Sequence, residues 1–191
     1  VYGMLPSRSQ VETLIHVDVW GIIAYTGLSF GDLFESWTRL SGKPMFVAEF
    51  GADAYDARGG GAVNEAAQAS AVRALTRELV AHSVSNGGPC SGGLVFELAD
   101  EWWKDEAGSS GRHDVGGIAP GGGPYPDATF NEEYWGLARY DGTARLAFRA
   151  YAEVLPPGGE QRATQDEALS RIRGRYRLQA CGASADCAHM P

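Results

Sequence analysis

With 191 residues, 44% of them hydrophobic and 10% aromatic, the chain can bury one sizeable core, and general disorder is excluded. A formal charge of −8 argues against a nucleic-acid backbone as partner, which needs a basic face to displace counterions, and favours a neutral or cationic ligand. Three cysteines, Cys90, Cys181 and Cys187, define no disulfide framework, nothing at the amino end resembles a signal peptide, and no apolar run is long enough to be a transmembrane segment.

The first segment, "SRSQVETLIH", reads as the end of a helix. "VDVWGIIAY", Val17 to Tyr25, is apolar and rich in β-branched and aromatic residues, as a strand covered on both faces of a parallel sheet should be. In "SFGDLFESWTRLSG", Phe30, Leu33, Phe34, Trp37 and Leu40 fall at helical spacing, and Gly42 is placed to end the helix in the left-handed conformation. "KPMFVAEFGAD" supplies a second buried strand, Pro44 to Phe50, in which a single carboxylate, Glu49, stands near the end of the apolar run. A glycine-rich loop leads to a helix with Asn64 as N-cap, an apolar stripe of Ala71, Val72, Leu75, Leu79 and Val80, and a stop at Asn86 and Gly87. "GGLVFELAD" gives a third strand, Gly92 to Asp100. After a long loop, "TARLAFRAYAEVLPP" gives a last helix with Ala147, Ala150, Tyr151 and Val154 on one face. Three strand and helix units in a row imply a parallel α/β architecture.

Parallel strands joined by helices collect function where the strands end at their carboxyl side. Those ends carry Tyr25, Glu49 and Glu97, with Asp100, Glu101, Trp102 and Trp103 just beyond the third. Carboxylates for acid, base or nucleophilic work beside aromatic faces suit a sugar. Spacing alone fits a plainer reading equally well: carboxylates that cap turns, a core tyrosine, and a solvated "DEWWKDE" loop anchored by its tryptophans. That run lacks the turn spacing of a hard-cation cage, so no metal is expected.

The ordered series "VDVWGIIAYTG", "KPMFVAEFGAD", "SGGLVFELADEWW" and "NEEYWGLARYDG" resembles the last strands of the retaining (β/α)8 glycosidases over roughly residues 14 to 155. In detail it is similar to the β-1,3-glucanosyltransferases and to the barrel domain of family 2 glycoside hydrolases. The resemblance implies a partial (β/α)8 TIM barrel in which Val17 to Tyr25, Pro44 to Phe50 and Leu94 to Ala99 are strands six, seven and eight. It makes Glu49 the nucleophile that forms a glycosyl-enzyme and Tyr25 the hydroxyl that orients it. Glu97, Trp102 and Trp103 belong to the sugar-binding floor, and Asp53 is grouped with the substrate-binding residues. The implied substrate is an oligosaccharide or polysaccharide with β-linkages, the implied setting is secreted or cell-surface, and no cofactor is needed.

A retaining reaction needs a second carboxyl about 5 to 5.5 Å from the nucleophile, and in this clan it belongs to an Asn-Glu pair after strand four, upstream of Val1. The pairs present, Asn64 with Glu65 and Asn131 with Glu132, are read as a helix cap and as loop chemistry. Residues 1 to 155 are therefore expected to be the C-terminal portion of a barrel whose N-terminal part is missing, and 156 to 191 a linker and tail with at most a short helix. On this reading the 191 residues alone are poorly soluble and inactive, because a full barrel takes ~250 residues. The loop Lys104 to Phe130 is either a substrate cover or an insertion, with His113 a weaker candidate for ligand contact. In the tail, Arg171, Arg173, Arg175 and Arg177 form a basic run, and Cys181, Cys187 and His189 lack zinc spacing, though the two cysteines allow a local disulfide. A non-catalytic carbohydrate-binding or interaction protein on the same scaffold is the alternative function.

Overall fold

Three parallel strands form the centre of the computed structural model, which describes residues 5–104, 112–113, 119–120 and 129–154. β1 (Trp20–Ile23) lies at one edge, β2 (Met45–Phe50) in the middle and β5 (Cys90–Val95) at the other edge. Helices α2 (Leu33–Leu40), α3 (Glu65–Ala81) and α4 (Leu146–Ala152) follow the strands in chain order, with a short α1 (Arg8–Thr13) before them. Two small antiparallel pairs complete the description: β3 (Tyr55–Asp56) with β4 (Ala62–Val63), and β6 (Ala119–Pro120) with β7 (Thr129–Phe130). The chain is thus mixed α/β with a parallel sheet.

Hydrophobic patterning accounts for the core. Ile22, Met45, Val47 and Phe50 from the strands meet Phe34 and Trp37 of α2 and Leu75 and Leu79 of α3, all buried. Against the far side of α3, Ala69 and Val72 pack on Ala147 and Ala150 of α4, so small side chains let the two helices approach closely. Val80, read as part of the stripe, is only partly buried.

Several boundaries differ from the sequence expectation. β1 is shorter than Val17 to Tyr25 because its hydrogen bonding is to β2 alone, beginning where Trp20 N donates to Pro44 O. Upstream, the carbonyls of Leu14, Ile15 and Val17 accept instead from the Lys43 ammonium, at 3.2, 3.2 and 2.6 Å. β5 starts earlier than Gly92 and stops at Val95, where the backbone leaves β2 for a new neighbour: Leu137 N donates to Glu97 O and Asp100 N to Ala138 O. α1 opens within the chain on a Ser7–Gln10 capping box, so it is a complete short helix rather than the end of a longer one. α2 ends on Ser41 in extended conformation, not on a left-handed Gly42, with the Trp37 indole donating to Lys43 O across the turn.

α3 starts as expected, with Asn64 Oδ1 accepting from Ala67 N at 3.1 Å. It ends at Ala81, and the anticipated stop serves a following 3-10 turn, Val84–Asn86, closed by Gly87 at φ 83°. Replacing Asn64 by alanine leaves that amide without its cap and is expected to cost about 1 kcal/mol of stability, read as a lower urea midpoint with an unchanged slope. Among the described residues no helix is long and apolar enough to cross a membrane. The tail, with its arginine run, Cys181, Cys187 and His189, lies outside the described residues.

Candidate functional site

The middle strand delivers Glu49 by breaking its own register. Ile22 faces Val47 but Ile23 faces Glu49, so β2 carries one extra residue opposite β1, and opposite β5 the register shifts both between Met45 and Val47 and between Val47 and Phe50. Such a bulge bends the strand and re-aims the side chain beyond it. Gly51 follows because the chain leaving β5 passes directly over it: a Cβ there would overlap the carbonyl oxygen of Phe96.

Tyr25, two residues past the end of β1, donates its hydroxyl to Glu49 Oε2 at 2.7 Å. Its ring is buried and held edge-on by Trp135 at 4.9 Å, Phe130 at 6.0 Å and Phe96 at 6.2 Å. Burial pushes the phenol far above its ordinary range, and the hydrogen bond to Glu49 and the charges of Glu49, Glu132 and Glu97 push it further. Tyr25 therefore stays protonated through any physiological pH, and its role toward Glu49 is that of a fixed donor.

Glu97 stands just beyond β5 rather than inside a strand. Burial first, and then the charge of Glu101, raise its carboxyl to about 8, against the opposing pull of Lys104. Its closeness to Glu101 and the charge of Asp100 add to that rise. Lys104 Nζ lies 3.2 Å from Glu101 Oε2 and 4.8 Å from the centre of the Phe96 ring. Burial works against the ammonium, but the hydrogen bond and charge of Glu101, with Glu132 and Glu97, more than offset it and raise its pKa.

Of the residues singled out in the sequence, the structure thus brings Tyr25, Glu49 and Glu97 into one neighbourhood. Trp102 and Trp103 pack on each other, ring centres 5.6 Å apart and nearly perpendicular, with Trp103 largely exposed. The aromatic rings around Tyr25 are instead Phe96, Phe130 and Trp135. Asp53 requires a correction: it has no exposed surface with which to touch a glycan, and its carboxylate accepts from Tyr55 N at 2.9 Å and Asn131 N at 3.1 Å. It fastens the loop after β2 to the segment that carries Phe130 and Trp135. Gln68 of α3 does similar work, donating to Ala52 O and Gly136 O at 3.1 Å.

The Asn-Glu pairs also separate. Asn64 caps α3 while Glu65 pairs with Arg139 at 2.7 Å, but Glu132 acts electrostatically on both Tyr25 and Lys104 and so belongs to the site's surroundings. Spacing hid Glu132, Phe130 and Trp135, because more than 30 residues separate them from the end of β5 in the sequence. Only the place of Glu132 and Trp135 in "NEEYWGLARYDG" hinted at those two, and nothing pointed to Phe130. His113 is not a free loop histidine: Nε2 sits 3.0 Å from Asp100 Oδ2, and the ring lies between Tyr134 and Tyr140. The rest of the long loop is outside the described residues.

Among the described residues no group of three or more His, Cys, Asp or Glu side chains is placed to hold a metal ion. A cavity of about 350 Å³ lies elsewhere, lined by Phe50, Leu79, Val84, Cys90 and Tyr151 among others, and includes none of Tyr25, Glu49 or Glu97.

No family model matches the sequence, and no curated protein matches it. Two solved structures are similar in backbone. A GH2 β-galacturonidase from Eisenbergiella tayi bound to glycerol aligns with TM-score 0.45 and 15% identity over 76% of this chain and 25% of its own. A GH2 β-galacturonidase from the same organism bound to galacturonate aligns with TM-score 0.40 and 16% identity over 67% of this chain and 21% of its own. The chain therefore spans a quarter or less of the length of these structures. Neither is a β-1,3-glucanosyltransferase. Likeness at this level assigns neither family nor activity.

Proposed function

We propose that this chain is the C-terminal part of a retaining glycoside hydrolase or transglycosylase acting on a β-linked glycan. In this reading β1, β2 and β5 are strands six, seven and eight of a (β/α)8 barrel within residues 1 to 155, with 156 to 191 as linker and tail. The observation that carries it is the Tyr25 to Glu49 hydrogen bond of 2.7 Å at the carboxyl end of the middle strand. A carboxylate held by a permanently protonated phenol has one oxygen fixed and the other oriented for attack.

Glu49 attacks the anomeric carbon, and the glycosidic bond breaks as the leaving oxygen takes a proton from an acid/base carboxyl. Water or a sugar hydroxyl, deprotonated by that same carboxyl, then displaces Glu49. The acid/base group is read as an upstream glutamate outside this chain. Among the described residues β1 and β5 are the edge strands of this sheet, with one further parallel bridge from Cys90 of β5 to Ser83, and edge strands are where a sheet can continue. Phe96, Phe130 and Trp135 shape the wall around Tyr25, and Glu97 borders it.

A 2-deoxy-2-fluoro-β-glucosyl fluoride tests this in the native polypeptide that contains these residues. Fluoride leaves without protonation, so the covalent intermediate accumulates, and the peptide bearing Glu49 should gain the mass of one fluoroglycosyl group. Labelling on another carboxylate would defeat the assignment. Glycan binding without labelling, surviving Glu49→Gln, would favour the non-catalytic carbohydrate-binding alternative.

A further inference from the structure

Glu49 and the groups that orient it lie on one closed circuit of contacts. Tyr25 donates to Glu49 Oε2 at 2.7 Å, and the Tyr25 ring is met edge-on by Trp135 and Phe130, whose own rings stack with centres 5.7 Å apart. Both of those rings ride on the segment 129–136, and that segment is tied back to the loop that leaves β2 just beyond Glu49. The tie runs through one side chain. Asp53 Oδ1 accepts from Tyr55 N within its own loop at 2.9 Å, while Oδ2 accepts from Asn131 N at 3.1 Å, so a single carboxylate joins segments 78 residues apart.

Two further bonds brace the same junction. Ala54 N donates to Tyr134 O at 2.9 Å, and the Gln68 amide donates to Ala52 O and to Gly136 O, both at 3.1 Å. Asp53, Gln68 and Asn131 are fully buried, and Trp135 nearly so. Close-packed interiors transmit displacement rather than absorb it, so a shift at Asn131 reaches Trp135 and Phe130 and, through their edge contacts, the Tyr25 ring.

The phenol has little tolerance for such a shift. Tyr25 follows the bond from Ala24 N to Glu49 O and lies beyond the end of β1, so aromatic packing rather than β-pairing places its ring. An O–H to oxygen hydrogen bond holds only over roughly 2.5–3.0 Å between heavy atoms. Movement of the ring by about half an ångström therefore loses the contact with Glu49.

We propose that Asp53 is a positioning residue for Glu49: by fixing Asn131 it sets Trp135 and Phe130, these set the Tyr25 ring, and the Tyr25 hydroxyl then holds the carboxylate for attack. Gln68 is the second support of the same segment. Only the last step rests on the glycosidase reading, since the placement of the Tyr25 hydroxyl does not depend on what Glu49 does. Asp53 is buried and acts through other side chains, never on the sugar.

Asp53→Asn is the informative replacement. It keeps the shape and one acceptor oxygen but turns the other into an NH2 group, which cannot accept from a backbone amide, so one of the two held amides is released. In the native polypeptide, the limiting rate of labelling by 2-deoxy-2-fluoro-β-glucosyl fluoride should fall about tenfold. The reagent concentration giving half that rate should stay within about twofold, because the contacts to the sugar are untouched. Tyr25→Phe alone should slow labelling by about 10²-fold, and adding Asp53→Asn to it should cost less than about twofold more, since the group that Asp53 positions is gone. A general structural defect would instead lower the rate by the same factor in both backgrounds.

The NMR resonance of the Tyr25 Cζ carbon, assigned by its loss in Tyr25→Phe, reads the placement without any chemistry. It should move toward the position of free tyrosine in Asp53→Asn. Gln68→Met, which removes the amide donors at similar length, should repeat both patterns and carries the test if Asp53→Asn does not fold. An unchanged rate, an unmoved resonance or equal losses in the two backgrounds overturns the inference. A resonance that moves while Glu49 is never labelled in the wild type overturns the glycosidase reading and upholds the positioning of Tyr25.

Discussion

Glu49→Gln is expected to lower kcat by on the order of 10³-fold or more, with little change in glycan affinity. An amide nitrogen or carbonyl oxygen is too poor a nucleophile to form the glycosyl-enzyme, yet glutamine fills the same volume and its carbonyl can still accept from the Tyr25 hydroxyl now bound at 2.7 Å. The site should therefore stay built while the reaction stops. Added azide distinguishes this from general damage, because a small external anion can replace the missing carboxylate only if the sugar is still held in place. The expected result is partial recovery with azide in Glu49→Ala, giving a glycosyl azide of inverted anomeric configuration. If Glu49→Ala and Glu49→Gln both retain wild-type kcat, the proposed nucleophile is wrong.

Breaking the Asp100 and Arg145 pair should have the largest effect on stability, about 3–5 kcal/mol for Arg145→Ala. Both side chains are almost fully shielded, and Nη1 lies 2.6 Å from Asp100 Oδ1. The same nitrogen is 3.3 Å from the carbonyls of Tyr134 and Gly136, and Gly136 N donates to Asp100 Oδ1 at 2.9 Å. Burial pushes the Asp100 carboxyl up, opposed by Arg145, by the Gly136 amide and by His113. Removing the guanidinium leaves that burial cost without its chief compensation. Equilibrium urea unfolding checks the size of the loss, and the double replacement Asp100→Leu with Arg145→Met should be less destabilised than Arg145→Ala, since no uncompensated charge then remains. Equal destabilisation would mean that packing, not charge, dominates at this position.

This pair lies at the joint where the chain beyond β5 is paired with residues 135–138. That joint holds Glu97 on one side and Trp135 on the other. Loss of Arg145 should loosen the site's wall as well as the fold, because its Nη1 lies 3.3 Å from the carbonyls of Tyr134 and Gly136, the residues on either side of Trp135.

Local pattern made much of this visible. The three strands, the α3 cap at Asn64 and the buried stripe Ala71, Val72, Leu75 and Leu79 follow from hydrophobic periodicity and from the chemistry of orphan amides at a helix start, both encoded over a few adjacent residues. The prominence of Glu49 also came from its neighbours, since a charge in an apolar strand is conspicuous without knowing the fold. Boundaries were harder: the end of β5 depends on when a distant segment, 135–138, takes over its hydrogen bonds, and no spacing within "GGLVFELAD" announces that.

The sequence by itself determined a parallel α/β chain with carboxylates and a tyrosine at the strand ends, because strand and helix periods and burial preferences act over short distances. Tertiary structure alone decided which groups meet. It joined Tyr25 to Glu49, withdrew Asp53 into the interior and set Trp135 rather than Trp102 or Trp103 against Tyr25. Each of these rests on contacts between elements far apart in the chain or on the path of an irregular loop, where side-chain position is settled by packing and desolvation instead of by local pattern.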